Sequence, residues 1–128
     1  MRIGEGSLRL SCQVVIEALG TDAVRVALEG ELSGPSAYTI DAELRRVEAT
    51  EPSCLVLDLS GLTFIDSTGL ARVLDAQRRA DRDGRRLVVA QGSDAVRRLI
   101  ALTALDRRLE LVPDARAAAA MLADETLI

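Results

Sequence analysis

Histidine and lysine are both missing from the 128 residues, and all sixteen positive charges are arginine. Without histidine there is no imidazole base, no Ser-His-Asp triad and no histidine-containing metal site. Without lysine there is no phosphate-loop lysine and no Schiff base. Two cysteines, Cys12 and Cys54, are too few for a cysteine-rich zinc site. Aromatic residues make up 2% of the chain, so its core must be built from Leu, Val, Ile and Ala. No apolar run approaches the roughly 20 residues that span a bilayer, and "MRIGEGSLRLSCQ" lacks the apolar centre of a secretion signal. The expected location is the cytoplasm, without direct insertion into a membrane. Both cysteines lie in apolar strand-like runs, and in that compartment they are expected as reduced core thiols rather than a disulfide. A net charge of −4 argues against nucleic acid as a partner, because phosphate binding needs a basic face.

What is present is the material of a folded α/β domain. Hydrophobic residues make up 48% and charged residues 28%, the balance of a chain that folds. Its length predicts one domain over 1–128, with a core over about 10–122. "LSCQVVIEAL" and "AVRVALEGEL" alternate with period two, and "LGTD" between them supplies a tight turn, so they predict a β-hairpin. The period then changes. Ala37, Ile40, Leu44 and Val47 recur at three and four, an amphipathic helix that Ser33-Gly34-Pro35-Ser36 can start. "CLVLDLS" reads as a central strand and "LARVLDAQRRADRDG" as a helix that stops at Gly84. "RRLVVAQG", "SDAVRRLIALTAL", "RLELV" and "PDARAAAAMLADETL" complete a β-β-α-β-α-β-α-β-α order. Such alternation predicts parallel strands joined by right-handed crossovers. The first two strands keep a polar face, so the helices are expected mainly on one side of a mixed sheet.

Between the central strand and its helix stands Asp66-Ser67-Thr68-Gly69. Asp66 or Ser67 can cap the helix, and Gly69 can relieve crowding. The same residues can instead be a functional site. An aspartic protease is a poor match, because Thr68 stands where that motif needs glycine. A receiver domain with Asp58 as phosphate acceptor fails on composition, since it needs a lysine. Arg72, Arg78 and Arg79 on the following helix are expected on a solvated face, with Arg72 a candidate contact for a partner.

The stretches "LEGEL" (28–32), "LVLDLSGLTFIDSTGL" (55–70) and "AVRRLIALTALDRRLEL" (95–111) resemble the STAS domain of bacterial anti-sigma-factor antagonists. The central element carries most of the resemblance, with its aliphatic strand, the Leu62-Thr63-Phe64-Ile65 lead-in and Asp-Ser-Thr-Gly in order. It implies an STAS-like mixed sheet: an N-terminal hairpin, then β-α repeats. It also implies a phosphoprotein of sigma-factor regulation that works by partner switching. Such an antagonist sequesters an anti-sigma factor that is also a serine kinase. The kinase uses ATP to phosphorylate the serine after the motif Asp, here Ser67, and a Ser/Thr phosphatase removes the phosphate. Thr68 is the lesser candidate acceptor. Asp66, Ser67, Thr68, Gly69, Ser33 and Arg72 are the expected partner contacts, Gly69 by letting a partner surface come close. Where the family has an Asp after Gly-Glu-Leu, this chain has Ser33, a departure that bears on the partner's identity more than on the fold.

No cofactor of the chain's own is implied, and an enzyme is the least expected class, since no catalytic constellation forms without His or Lys. An STAS subunit regulating a membrane ABC transporter of lipid-trafficking type is the second reading, and a stress-signalling scaffold the third. Self-association as a weak homodimer stays open.

Overall fold

The computed structural model describes residues 12–104 and 107–126. The hairpin forms as the alternation predicts: β1 (Cys12–Leu19) pairs antiparallel with β2 (Ala23–Leu32) across a turn in which Gly20 takes a φ of 69°. The chain continues through α1 (Gly34–Glu48), β3 (Cys54–Ile65), α2 (Ser67–Asp83), β4 (Arg86–Ala90), α3 (Asp94–Leu102), β5 (Glu110–Val112) and α4 (Ala115–Thr126). Five strands lie in the order β1-β2-β3-β4-β5, and every pair after the hairpin is parallel.

Each crossover advances by one strand. Crossovers of one hand that step in one direction place all their helices on one side. That side holds the main core, where Ala37, Ile40, Leu44 and Val47 of α1 meet Leu55, Leu57 and Leu59 of β3. Leu70, Val73, Ala76 and Ala80 of α2 and Val96 and Ile100 of α3 complete it. Successive strand residues point to opposite faces, so Cys54 and Val56 face the other way. There α4 covers them, with Ala118 buried and Met121 and Leu122 packed alongside. This division is the expected mainly one-sided arrangement, with α4 as the exception.

Three local findings differ from the sequence reading. First, β3 does not stop with "CLVLDLS" but runs on through Gly61 to Ile65, which leaves Asp58 well inside the strand. A side chain at Gly61 would come within 2.8 Å of the Leu28 carbonyl, so glycine is what lets β3 continue beside the bulged β2. Second, Arg79 is buried, not on a solvated face. It binds Glu48 through Nε (2.6 Å) and Nη2 (2.9 Å), and its Nη1 lies 3.1 Å from Asp41. This triad joins α2 to α1 inside the helical layer. Third, of the two cysteines only Cys54 is fully buried; Cys12 is partly exposed, and neither is in a disulfide. Cys54 is level with Ala23 and hence Leu19, seven residues along β1 from Cys12, or about 23 Å. They cannot bridge, and burial pushes the Cys12 thiol up to about 11.

Candidate functional site

The parallel strands β2 and β3 end side by side at Leu32 and Ile65, and α1 and α2 begin immediately beyond them. Asp66 joins the two ends. Its backbone N–H donates to the Leu32 carbonyl at 3.3 Å. Its extended backbone and short carboxylate make it the N-cap of α2, with Oδ1 accepting from the Gly69 N–H at 2.9 Å. An Asp in this role satisfies one of the four free N–H groups of the first turn. Of the two capping candidates, Asp66 therefore does the capping.

Ser67, the next residue, is the first of the helix and is exposed. Among the described residues nothing hydrogen-bonds its hydroxyl. Thr68 is half-buried. Neither α1 nor α2 has an acidic residue in its first turn. The partial positive charge of the α2 N-terminus is thus offset only by the Asp66 cap, a setting that accepts an anion.

Of the two uses expected for Gly69, relief of crowding is the one the packing supports. The residue is buried, and a Cβ there would stand 2.2 Å from the Leu32 carbonyl oxygen and 3.1 Å from Cγ1 of Ile65. The missing side chain lets α2 close onto the end of β2. It opens nothing to a partner.

Ser33 occupies the N-cap of α1. Its N–H donates to Ser36 Oγ at 3.1 Å, and the Ser36 N–H donates back to the Ser33 carbonyl at 3.1 Å. Arg72 is less free than its place on α2 suggested. It pairs with Asp75 at 2.9 Å, and its guanidinium lies 5.0 Å from the centre of the Tyr38 ring on α1. The site thus brings together Ser33 and Asp66 to Gly69 at one end of the sheet, with Arg72 one turn further along α2.

Sequence reasoning assigned no role to Tyr38 and gave Phe64 only a place in a motif. They are the chain's only aromatic residues, and they are 60% and 47% exposed. Tyr38 sits near the start of α1, and Phe64 stands three residues before Ser67. The signal was available: Tyr38 falls outside the Ala37-Ile40-Leu44-Val47 register, so it had to point away from the core.

Asp58 belongs to a separate cluster in the sheet. It is 1% exposed and accepts from Arg25 Nε (3.1 Å) and Nη2 (2.8 Å), and from the Ser60 N–H (2.9 Å) and hydroxyl (2.6 Å). Burial works to raise its pKa, but the Ser60 hydrogen bonds and the Arg25 pair outweigh it and hold the carboxyl below its usual range. A carboxylate so enclosed and so fully partnered is structural.

Among the described residues, no helix is long and apolar enough to cross a membrane. A family model of the STAS domain matches residues 15–118. An anti-sigma factor antagonist from Mycobacterium paratuberculosis is similar in structure, with a TM-score of 0.76 at 27% identity over 87% of this chain and 93% of that one. SpoIIAA, an anti-sigma factor antagonist, aligns in its unphosphorylated form with a TM-score of 0.70 at 20% identity, over 87% of this chain and 97% of that one. The phosphorylated form of SpoIIAA from Bacillus gives 0.65 at 19%, over 85% and 99%. The murine anion transporter Slc26a9 shares the fold at 0.61 and 15%, over 81% of this chain but only 21% of the transporter. With the family model covering most of the chain, and the sheet, the helix layer and the Asp66–Gly69 turn arranged as described, this protein belongs to the STAS domain family.

Proposed function

We propose that this chain is an anti-sigma-factor antagonist: a binding module without catalysis of its own, switched off by phosphorylation of Ser67. The partner is an anti-sigma factor that is also a serine kinase. It brings the ATP, and a Ser/Thr phosphatase restores the binding form. The observation that carries the reading is the division of labour at the start of α2. Asp66 caps the helix, which leaves the Ser67 hydroxyl unused and exposed on a defined backbone.

Phosphorylation adds about −1.5 to −2 charges and three strong acceptor oxygens. The helix N-terminus stabilises such an anion by roughly 0.3–1 kcal/mol at an exposed site, and the neighbouring Asp66 opposes it. These small, opposed terms leave the fold intact. The interface fares differently, because burying an unpaired dianion against another protein costs several kcal/mol. A loss of about 4 kcal/mol weakens binding roughly a thousandfold. The switch therefore spoils a docking surface and does not refold the domain.

The test is to incubate the chain with ATP and each purified ATPase-type serine kinase of its host organism, followed by intact mass. One kinase is expected to add a single phosphate that Ser67→Ala does not take up. An unchanged mass with every kinase, or a phosphate retained in Ser67→Ala, defeats the proposal.

A further inference from the structure

An apolar groove runs along α3 and ends beside the α2 N-terminus. Ile65, Leu99 and Ala95 line it together with Phe64, Leu102 and Arg98, and its volume is 270 Å3. Phe64 is 47% and Leu102 78% exposed, two of the few large apolar side chains that the fold leaves in water. The groove is below the roughly 300 Å3 at which small-molecule pockets begin, so it suits protein side chains better than a metabolite. Ile65 is two residues from Ser67, at most about 7 Å of extended chain.

Charge distinguishes this surface from the rest of the helical layer. Every arginine of α1 and α2 is ion-paired. On α3, Arg97 and Arg98 are exposed and carry no ion pair among the described residues. Asp94 stands one turn before Arg98, yet no ion pair joins them. Among the described residues, no carboxylate lines the groove. Two adjacent cations without an ion pair, set beside an apolar groove, favour a partner that brings acidic residues. The lining residues of α3 recur at Ala95, Arg98, Leu99 and Leu102, the spacing against which a second helix packs.

We infer that this groove docks an amphipathic helix of the anti-sigma kinase, with apolar side chains between Phe64 and Leu102 and acidic residues against Arg98 and Arg97. The inference rests on the function proposed above and names the surface by which that partner holds on. It also sharpens the switch. A helix chosen for its acidic residues lies next to Ser67, where the added phosphate repels it.

The test uses the kinase that phosphorylates Ser67, in its ATP-free form, titrated against four variants of the full chain. Leu102→Asp and Arg98→Glu change side chains that support nothing in the core. Arg116→Glu makes the same charge change at an exposed position of α4, on the opposite face of the sheet. Leu102→Asp is expected to weaken binding at least about thirtyfold, the loss typical of a buried anchor. Arg98→Glu is expected to weaken it about tenfold and to flatten its salt dependence. Arg116→Glu is expected to leave binding within about twofold, because a rim charge on the far face touches no partner. Circular dichroism of each variant should match the parent. Ser67→Asp is the internal reference. If it loses binding while Leu102→Asp and Arg98→Glu bind like the parent, the groove is idle and this inference falls while the proposed function stands. If no kinase binds or modifies the parent chain, both fall. If Leu102→Asp turns a dimer into a monomer by light scattering and leaves kinase binding unchanged, the occupant is a second copy, and the inference is again overturned.

Discussion

Replacing Gly69 with alanine separates two uses of one glycine. A glycine in the first turn of a helix weakens it by about 1 kcal/mol relative to alanine. If Gly69 were there only to let a partner approach, Gly69→Ala would stabilise the free domain by about that amount. The structure argues the opposite. The added Cβ would stand 2.2 Å from the Leu32 carbonyl oxygen, 3.0 Å from Cγ of Leu32 and 3.1 Å from Cγ1 of Ile65. The closest atom is backbone, at the end of β2 where the Asp66 N–H also binds, so it cannot swing aside as a side-chain tip can. Forcing an extra methyl into a packed site costs about 1–3 kcal/mol, and more where backbone must move. At the upper end of that range, less the propensity gain, the net is a loss of about 2 kcal/mol. In urea, with a slope of about 2 kcal/mol per molar for a domain of this size, the midpoint should fall by about 1 M with the slope unchanged. A midpoint at or above that of the parent would refute the packing role and return Gly69 to the partner surface.

Two further outcomes follow from the buried charges. Arg79→Ala strands Glu48 in the helical layer and leaves Asp41 only its Arg45 pair, and breaking such a buried pair costs about 3–5 kcal/mol. Arg78→Ala, on the exposed turn beside it, should stay within about 0.5 kcal/mol by the same urea assay; equal losses would show that Arg79 is not the buried member. Asp58 titrates below its unfolded value in the fold, so the folded state binds its proton less readily than the unfolded chain. The stability it contributes is fully present above the usual carboxylate pKa of about 3.9 and is lost as pH falls through the lower folded value. Asp58→Asn should therefore flatten the acid limb of a stability-against-pH curve below about pH 4, and an unchanged limb would assign that limb to other carboxylates.

Some of this was legible in the chain, and the particulars say why. Ala37, Ile40, Leu44 and Val47 declare α1 because burial along a helix repeats every three or four residues, and all four are buried. The hairpin is equally plain from its alternation and from Gly20. The capping role of Asp66 was one of two local options, and only coordinates decided between its oxygen and that of Ser67. Ser60-Gly61 looked like a break because nothing local shows that Gly61 lies against the Leu28 carbonyl of the next strand. Arg79 looked solvated because a charged residue on a helix usually is. Its partner Glu48 lies 31 positions away, and that distance leaves no periodic trace. Gly69 was ambiguous for the same reason, since the Leu32 oxygen it accommodates is on another strand. Local periodicity is written in the sequence, whereas a contact between distant segments is created by the fold.

In the proposed function, Ser67 controls binding by charge at an intact surface. Titration calorimetry of the anti-sigma kinase against the unmodified chain and against the chain stoichiometrically phosphorylated on Ser67 tests it most directly, with a thermal melt of both forms alongside. Affinities should differ about a thousandfold, and melting temperatures should agree within a few degrees. Equal affinities, or a loss of binding that coincides with unfolding of the phosphorylated chain, would contradict it.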